Sequence, residues 1–159
     1  MREETAYTKI KTHIAENTGI IYYRDKDDEL KRKIQNRIRA LGIDTFSQYF
    51  NHIDDGSSRA EQEFDRLVND LTIGETYFFR DKETFRGLQE TIIPSLIEKN
   101  RDTRQIRIWS AGCASGEEPY SISIMLRTRF PQLDGWEINI LGTDINRDFL
   151  SRAIEGRYT

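Results

Sequence analysis

Glu117 and Glu118 stand directly behind a glycine turn, and what two carboxylates can do there limits what the turn can hold. Residues 106–120 read IRIWSAGCASGEEPY. Ile106 and Ile108 predict a short β-strand, the stretch from Gly112 to Gly116 a tight turn, and Glu117-Glu118-Pro119 the opening of a helix. Proline is tolerated in a first helical turn because its missing N–H has no partner there in any case. Strand, glycine turn and helix N-terminus in that order form the nucleotide-cradling corner of an α/β sheet. Glycine lets the backbone approach a ligand closely. A bare helix N-terminus favours phosphate, but two carboxylates repel it, and no Lys follows the glycine as a phosphate-binding loop requires. The corner suits a ligand that brings positive charge and no phosphate, which describes S-adenosylmethionine with its sulfonium and amino group. On the turn alone, carboxylates that merely complement the helix dipole are an equally open reading.

A second strand is predicted over residues 137–141, followed by Gly142-Thr143-Asp144. A carboxylate at the carboxyl end of a second strand can accept both ribose hydroxyls of an adenosine. The gap from the turn exceeds the ~20 residues of a dinucleotide fingerprint, which argues against NAD. Asp144 can equally cap the helix beginning near Asn146, and the two roles are compatible. Cys113 has no His placed to activate it as a nucleophile and reads as a small turn residue.

The segment WSAGCASGEEPYSIS, with TYFFR upstream (residues 76–80) and GTDIN and GRY downstream, resembles the CheR-type chemotaxis receptor methyltransferases. The likeness covers essentially the whole chain, and GEEPYS and FFR are its specific parts. It implies an S-adenosylmethionine-dependent enzyme that esterifies glutamates of methyl-accepting chemotaxis receptors, leaving S-adenosylhomocysteine. It also implies an α/β fold: a small N-terminal all-α bundle, then the first half (β-α-β-α) of a Rossmann-like class I methyltransferase domain. By the same resemblance Glu118 holds the methionine amino group, Asp144 the ribose, and the turn from Gly112 to Gly116 the cofactor backbone. Thr76 and Arg80 also contact the cofactor. Arg80 is the catalytic candidate, on the methionine carboxylate or the acceptor glutamate, since a guanidinium matches carboxylate geometry; the plain alternative is an ion pair with Asp81 or Glu83. The family often carries Asn where this chain has Gly74, so one cofactor contact is missing or replaced by backbone. An acceptor glutamate is already ionised near neutral pH, so alignment and exclusion of water are expected to carry catalysis.

The elements that must position these residues follow from the rest of the chain. Its 159 residues allow one ordinary domain or two small ones. A 32% charged and 36% hydrophobic composition is that of a soluble helix-rich protein, and a net charge of -3 exerts no overall pull toward nucleic acid or membrane. The single cysteine excludes an intrachain disulfide framework and fits a cytoplasmic location. No apolar run reaches transmembrane length, and MREETAYTK lacks a signal peptide's apolar core. His13 and His52 lie far apart with no Cys nearby, so no metal site is expected.

Apolar periodicity predicts four short helices in residues 1–71, a receptor-facing helical domain. Ala6, Ile10 and Ile14 line the first, which Gly19 stops, and His13 is a surface or boundary residue. Leu30, Ile34, Ile38 and Leu41 line the second. Phe46, Tyr49, Phe50 and Ile53 line the third, with Asp44 as its cap. Phe64, Leu67, Val68 and Leu71 line the fourth, opened by a capping box from Ser58 to Glu61. The second helix is basic. The resemblance assigns such a helix to docking on acidic receptor helices, through Lys33 and Arg37 on one flank and Arg32 and Arg39 on another; a solvated surface is the plain alternative.

Residues 72–81 read as a linker that contributes cofactor contacts. Its aromatics Tyr77, Phe78 and Phe79 suit packing rather than solvent. Residues 82–159 read as a partial methyltransferase domain, with a fifth helix capped by Asp81 and disturbed at Pro94. Ile122, Met125 and Leu126 are the inward face of the next helix, and Phe149, Leu150, Ala153 and Ile154 that of the last. Two parallel strands are too few for a doubly wound sheet, so the chain reads as a fragment, inactive alone, with unpaired edges that invite dimerisation or strand swapping. The resemblance implies that the remainder supplies an Asn-containing motif, an aromatic near the methyl group and a receptor-tethering β-insert. Two rival readings are a receptor-binding module with a remnant nucleotide fold, and an NAD(P)-dependent enzyme. Glu117, Glu118 and the missing Lys disfavour the second.

Overall fold

A computed structural model describes residues 2–158 and divides the chain into two compact units, Met1–Ile73 and Gly74–Thr159. The first is all helical: α1 (Glu3–Thr18), α2 (Asp27–Leu41), α3 (Phe46–Ile53) and α4 (Ser58–Leu71). Gly19 (φ 71°) and Gly42 (φ 67°) end α1 and α2 in the left-handed conformation that a side chain would resist. The predicted stripes meet in one core of Tyr7, Ile10, Ile14, Leu30, Ile34, Ile38, Tyr49, Ile53, Leu67 and Leu71. Leu41 and Phe64 pack at its margin, and His13 lies edge-on to Phe50 and Phe64.

Two caps fall one residue from where the sequence suggests. Thr45, not Asp44, caps α3, because its hydroxyl accepts the Gln48 N–H while the Gln48 side chain returns to the Thr45 N–H. Ser57, not Ser58, caps α4 by accepting the Ala60 N–H, with its own N–H held by Asp55. Chemistry cannot separate neighbouring residues that are both eligible caps; the backbone entry angle does.

The second unit opens with α5 (Lys82–Gly87), capped by Asp81, which accepts from the Thr84 N–H. A π-helical segment, Leu88–Ile92, separates α5 from α6 (Ile93–Lys99). Pro94 explains it: proline cannot donate to the carbonyl four residues back and its ring crowds that oxygen. The chain takes one extra residue into the turn, and the Ile93 N–H reaches the Leu88 carbonyl. Then follow β1 (Gln105–Ala111), α7 (Glu117–Arg129), a 3₁₀ turn (Pro131–Leu133), β2 (Glu137–Thr143) and α8 (Arg147–Glu155). β1 and β2 pair in parallel from Gln105↔Glu137 to Ala111↔Thr143. This is the β-α-β-α half of a Rossmann-like fold.

One face of the strand pair carries Ile106, Ile108, Ile138 and Ile140, packed with Ile93 and with Ile122, Met125 and Leu126 of α7. On the other face Trp109 (69% exposed) and its register partner Leu141 (55%) lie open. The expectation that α8 turns four apolar residues inward holds for only part of the helix. Phe149, Leu150 and Ala153 are half-buried, but Ile154 is 84% exposed. Ile154 lines an open groove between α7, β2 and α8.

Candidate functional site

The glycine turn is held by the end of β2. The N–H groups of Gly112 and Cys113 both donate to the Thr143 carbonyl, at 2.7 and 2.9 Å. The Ala114 N–H donates to Asp144 Oδ2 at 2.8 Å, and the Gly116 N–H to the Cys113 carbonyl at 2.9 Å. Four turn amides are therefore satisfied by the chain itself. Gly112 (φ 74°), Ala114 (φ 45°) and Gly116 (φ 98°) take left-handed backbone, which is strained for alanine and easy for glycine. A Cβ on Gly116 would lie 2.7 Å from Tyr158 Oη and 2.8 Å from Ala153 Cβ, so the turn also needs glycine there for space.

Asp144 does more than stand at the strand end. Its Oδ1 accepts the Asn146 N–H at 2.8 Å while Oδ2 takes Ala114. Capping of α8 falls to the buried Asn146, which accepts from the Phe149 N–H, so the expectation that Asp144 caps that helix is corrected. A carboxylate offers about four lone-pair sites, and these two bonds leave acceptor capacity for further donors.

Glu118 is oriented from beneath: Ser110, 2% exposed, donates its hydroxyl to Oε1 at 2.6 Å. Glu117 accepts from the Ser115 hydroxyl at 2.8 Å. Cys113 is buried, and burial, with the Asp144 charge behind it, raises its thiol pKa. That is the reverse of an activated nucleophile.

The TYFFR segment is tied to α7 by its backbone. The Phe79 N–H donates to the hydroxyl of the fully buried Ser121 at 3.0 Å, and Ser121 donates to the Glu117 carbonyl at 2.6 Å. Phe79 takes a left-handed φ of 56°, rare for an aromatic residue and a mark of a backbone over-determined by its surroundings. Phe78 packs edge-on against Tyr158, and Phe79 against Phe85. Thr76 is half-buried. Arg80 is exposed, and its guanidinium rests on Glu75, hydrogen-bonding the Glu75 carbonyl and lying 3.6 Å from its carboxylate, rather than pairing with Asp81 or Glu83. Gly74 is pressed against α8: a Cβ there would fall 2.1 Å from the Phe149 ring. No side chain larger than hydrogen fits unless that ring moves.

In the helical unit the four cationic candidates divide. Arg37 makes a two-pronged contact with the buried Glu63, at 2.9 and 2.8 Å, and lies 3.5 Å from Asp70. Tyr49 donates to the same Glu63 at 3.1 Å. Lys33 donates to the Asp70 carbonyl. Arg39 reaches only its own helix, at Gln35 and Asn36, and Arg32 is exposed. The apolar groove beside α7 lies apart from the carboxylates: Cys113 and Gly142 touch it, Glu118 and Asp144 do not.

Residues 74–159 match the family model described as "CheR methyltransferase, SAM binding domain", and residues 5–72 the one described as "CheR methyltransferase, all-alpha domain". The chain belongs to the CheR methyltransferase family. CheR relatives include chemotaxis protein methyltransferase 2 of Vibrio cholerae, 31% identical over 98% of this chain and 53% of that protein. The chemotaxis protein methyltransferase of Borreliella burgdorferi is 34% identical over 89% of this chain and 50% of its own length. That of Salmonella typhimurium is 31% identical over 96% and 49%. The chain thus spans about half the length of the curated relatives it matches. No helix among the described residues is long and apolar enough to cross a membrane.

The contacts that sequence reading missed are Ser110 to Glu118, Phe79 to Ser121, and Tyr158 to Ser115. Their partners stand 8, 42 and 43 residues apart, beyond any local periodicity. The GRY segment that ends in Tyr158 was a signal without a role.

Proposed function

We propose that this chain forms the cofactor- and receptor-facing part of a cytoplasmic enzyme that transfers methyl from S-adenosylmethionine to glutamate side chains of chemoreceptors, leaving S-adenosylhomocysteine and a glutamyl methyl ester. The observation that carries the reading is the fate of the turn amides. Those of Gly112, Cys113, Ala114 and Gly116 are spent on the chain's own oxygens, so they are not available to cradle a phosphate. The groups beside them are carboxylates. A cationic ligand without phosphate fits that set, and a pyrophosphate does not.

S-adenosylmethionine, when bound, supplies an electrophilic methyl on a sulfonium. Glu118, aimed by Ser110, holds the ligand's amino group through charge-assisted hydrogen bonds. Asp144 keeps the turn closed with one pair of bonds and receives ribose hydroxyls with its remaining lone pairs. Gly112 and Gly116 give the backbone its close approach, and Thr76 adds a contact from the connector. Arg80 leaves the exposed carboxylate of Glu75, a weak partner, for the methionine or acceptor carboxylate. The acceptor needs no base, because a glutamate is ionised at neutral pH.

The receptor side is α2. Arg32 and Arg39 are its available cations, Lys33 contributes from the flank, and Arg37 acts through the shape of the helix. The 159-residue chain binds cofactor but does not turn over, and its open strand edges promote self-association or strand exchange.

Calorimetric titration of S-adenosylhomocysteine tests the reading, with NADH as the competitor. Glu118→Gln keeps an oxygen for Ser110 while removing the charge, and should weaken binding by about 1.5–3 kcal/mol, the worth of a hydrogen bond to a charged group. Asp144→Ala should abolish it. Preference for NADH, or binding indifferent to Glu118, would overturn the assignment.

A further inference from the structure

Tyr158 touches three parts of the candidate site at once. Its hydroxyl donates to the Ser115 carbonyl at 2.7 Å, and the same oxygen lies 2.7 Å from the point where a Cβ on Gly116 would stand. Its ring meets Phe78 edge-on at 4.9 Å and Tyr120 at 5.5 Å. Tyr120 in turn donates to the Ala153 carbonyl at 3.2 Å, and its oxygen lies 2.8 Å from where a Cβ on Gly156 would be. Glycines at 116 and 156 therefore leave room for the two tyrosine hydroxyls. The Gly112 and Cys113 amides are fixed by the end of β2, that of Ala114 by Asp144 and that of Gly116 by the Cys113 carbonyl, but the Ser115 carbonyl is fixed by Tyr158.

We infer that Tyr158 is a positioning residue: its hydroxyl locks the Ser115–Gly116 peptide, and its ring couples that turn to Phe78 and so to the Arg80 segment. The inference rests on the reading of this turn as the cofactor's cradle. Ser115 stands between the strained Ala114 and the left-handed Gly116, so freeing its carbonyl leaves the Ser115–Gly116 peptide plane held only at its other end, where the Gly116 N–H donates to the Cys113 carbonyl, and loosens it. That loosening would disturb the approach to Glu117 and Glu118 without opening the strand pair. Burial and the nearby Glu117 raise the Tyr158 pKa, which keeps the hydroxyl proton in place at neutral pH.

The test compares the 159-residue chain with Tyr158→Phe, and with Tyr158 replaced by 4-aminophenylalanine, which restores a donor. Amide hydrogen exchange is read across the whole unit, and S-adenosylhomocysteine affinity by calorimetry. Loss of one hydrogen bond should speed exchange at residues 115–117 and weaken the ligand by about 3–10-fold each, with β1 and β2 amides unchanged and the amino variant restoring both. Uniform acceleration across β1, β2 and α7 would mark Tyr158 as a general staple and overturn the inference, as would unchanged exchange at residues 115–117. If the unsubstituted chain takes up no S-adenosylhomocysteine, the cofactor reading falls, while exchange at residues 115–117 still decides whether Tyr158 orders the turn.

Discussion

Arg37 and Arg39 sit two residues apart on one basic helix yet have different fates, because only one faces a buried acid. Glu63 is 2% exposed and receives Arg37 with two prongs and Tyr49 with one. Removing one partner of such a pair strands a charge in the core, so Arg37→Ala should cost about 3–5 kcal/mol in urea unfolding. Arg32→Ala and Arg39→Ala should stay within about 0.5 kcal/mol. A weakening of receptor binding by the latter two, with stability intact, would assign docking to them; a large stability loss in either would contradict their exposure. Tyr23 gives a pH signature to the same unit. Its buried hydroxyl donates to the Leu71 carbonyl at 2.9 Å, and burial followed by the Glu29 charge pushes its pKa from 10.0 up to about 12. The folded state prefers the protonated form. Its contribution is complete below pH 10.0 and is lost as pH rises through about 12. Tyr23→Phe should therefore lower stability by about 1–3 kcal/mol at neutral pH, for an unsatisfied carbonyl, and flatten the alkaline decline between those pH values. An unchanged alkaline limb would sink that assignment.

At the scale of elements, Gly74 in the connector meets α8. A Cβ on Gly74 would fall 2.1 Å from Cε2 and 2.2 Å from Cζ of Phe149, well inside contact distance. Gly74→Ala should destabilise the second unit by about 1–3 kcal/mol, the usual cost of overpacking. Phe149→Leu should recover part of that loss, so a double-mutant cycle on thermal unfolding should return a coupling of at least about 0.5 kcal/mol. Additive losses would mean that the ring swings clear at no cost. The same contact explains why Gly74 could be read in the sequence only as a missing side chain: its partner is 75 positions away. What was legible were the elements. Stripes at i, i+3 and i+4 gave α1 to α4 their buried faces, Gly19 the end of α1, and Ile106 and Ile108 the inner face of β1. The placement of Glu117 and Glu118 in the first turn of α7 and of Asp144 at the strand end was legible too. Buried charge was legible only by position: Glu63 falls on the apolar stripe of α4, four residues before Leu67, but nothing local names its partner Arg37, 26 residues away on another helix. The extra residue in the turn before Pro94 was not legible, since proline announces a disturbance but not its form.

For the molecule as a whole, the unfinished surface is the strand pair. Among the described residues each strand has a neighbour on one side only, and Trp109 and Leu141 lie side by side on the uncovered face. A parallel pair is normally covered on both faces, and an open strand edge is a template for another chain. If two copies met face to face, two Trp109 and two Leu141 side chains would leave water, worth on the order of 6–12 kcal/mol gross at 1.5–3 kcal/mol each. Association itself costs about 4–15 kcal/mol, so the pairing should be weak and strongly dependent on concentration. Sedimentation velocity over a concentration series should show a monomer giving way to a dimer, and Trp109→Lys should move that transition to higher concentration. Indole fluorescence offers an independent reading. In a Trp136→Phe background the remaining emission belongs to Trp109, and it should shift to the blue as the dimer forms. A chain lengthened with the C-terminal half of a relative should remain monomeric and lose the shift, because its own strands and helices would cover Trp109. Association that survives both Trp109→Lys and the lengthened chain would locate the interface elsewhere.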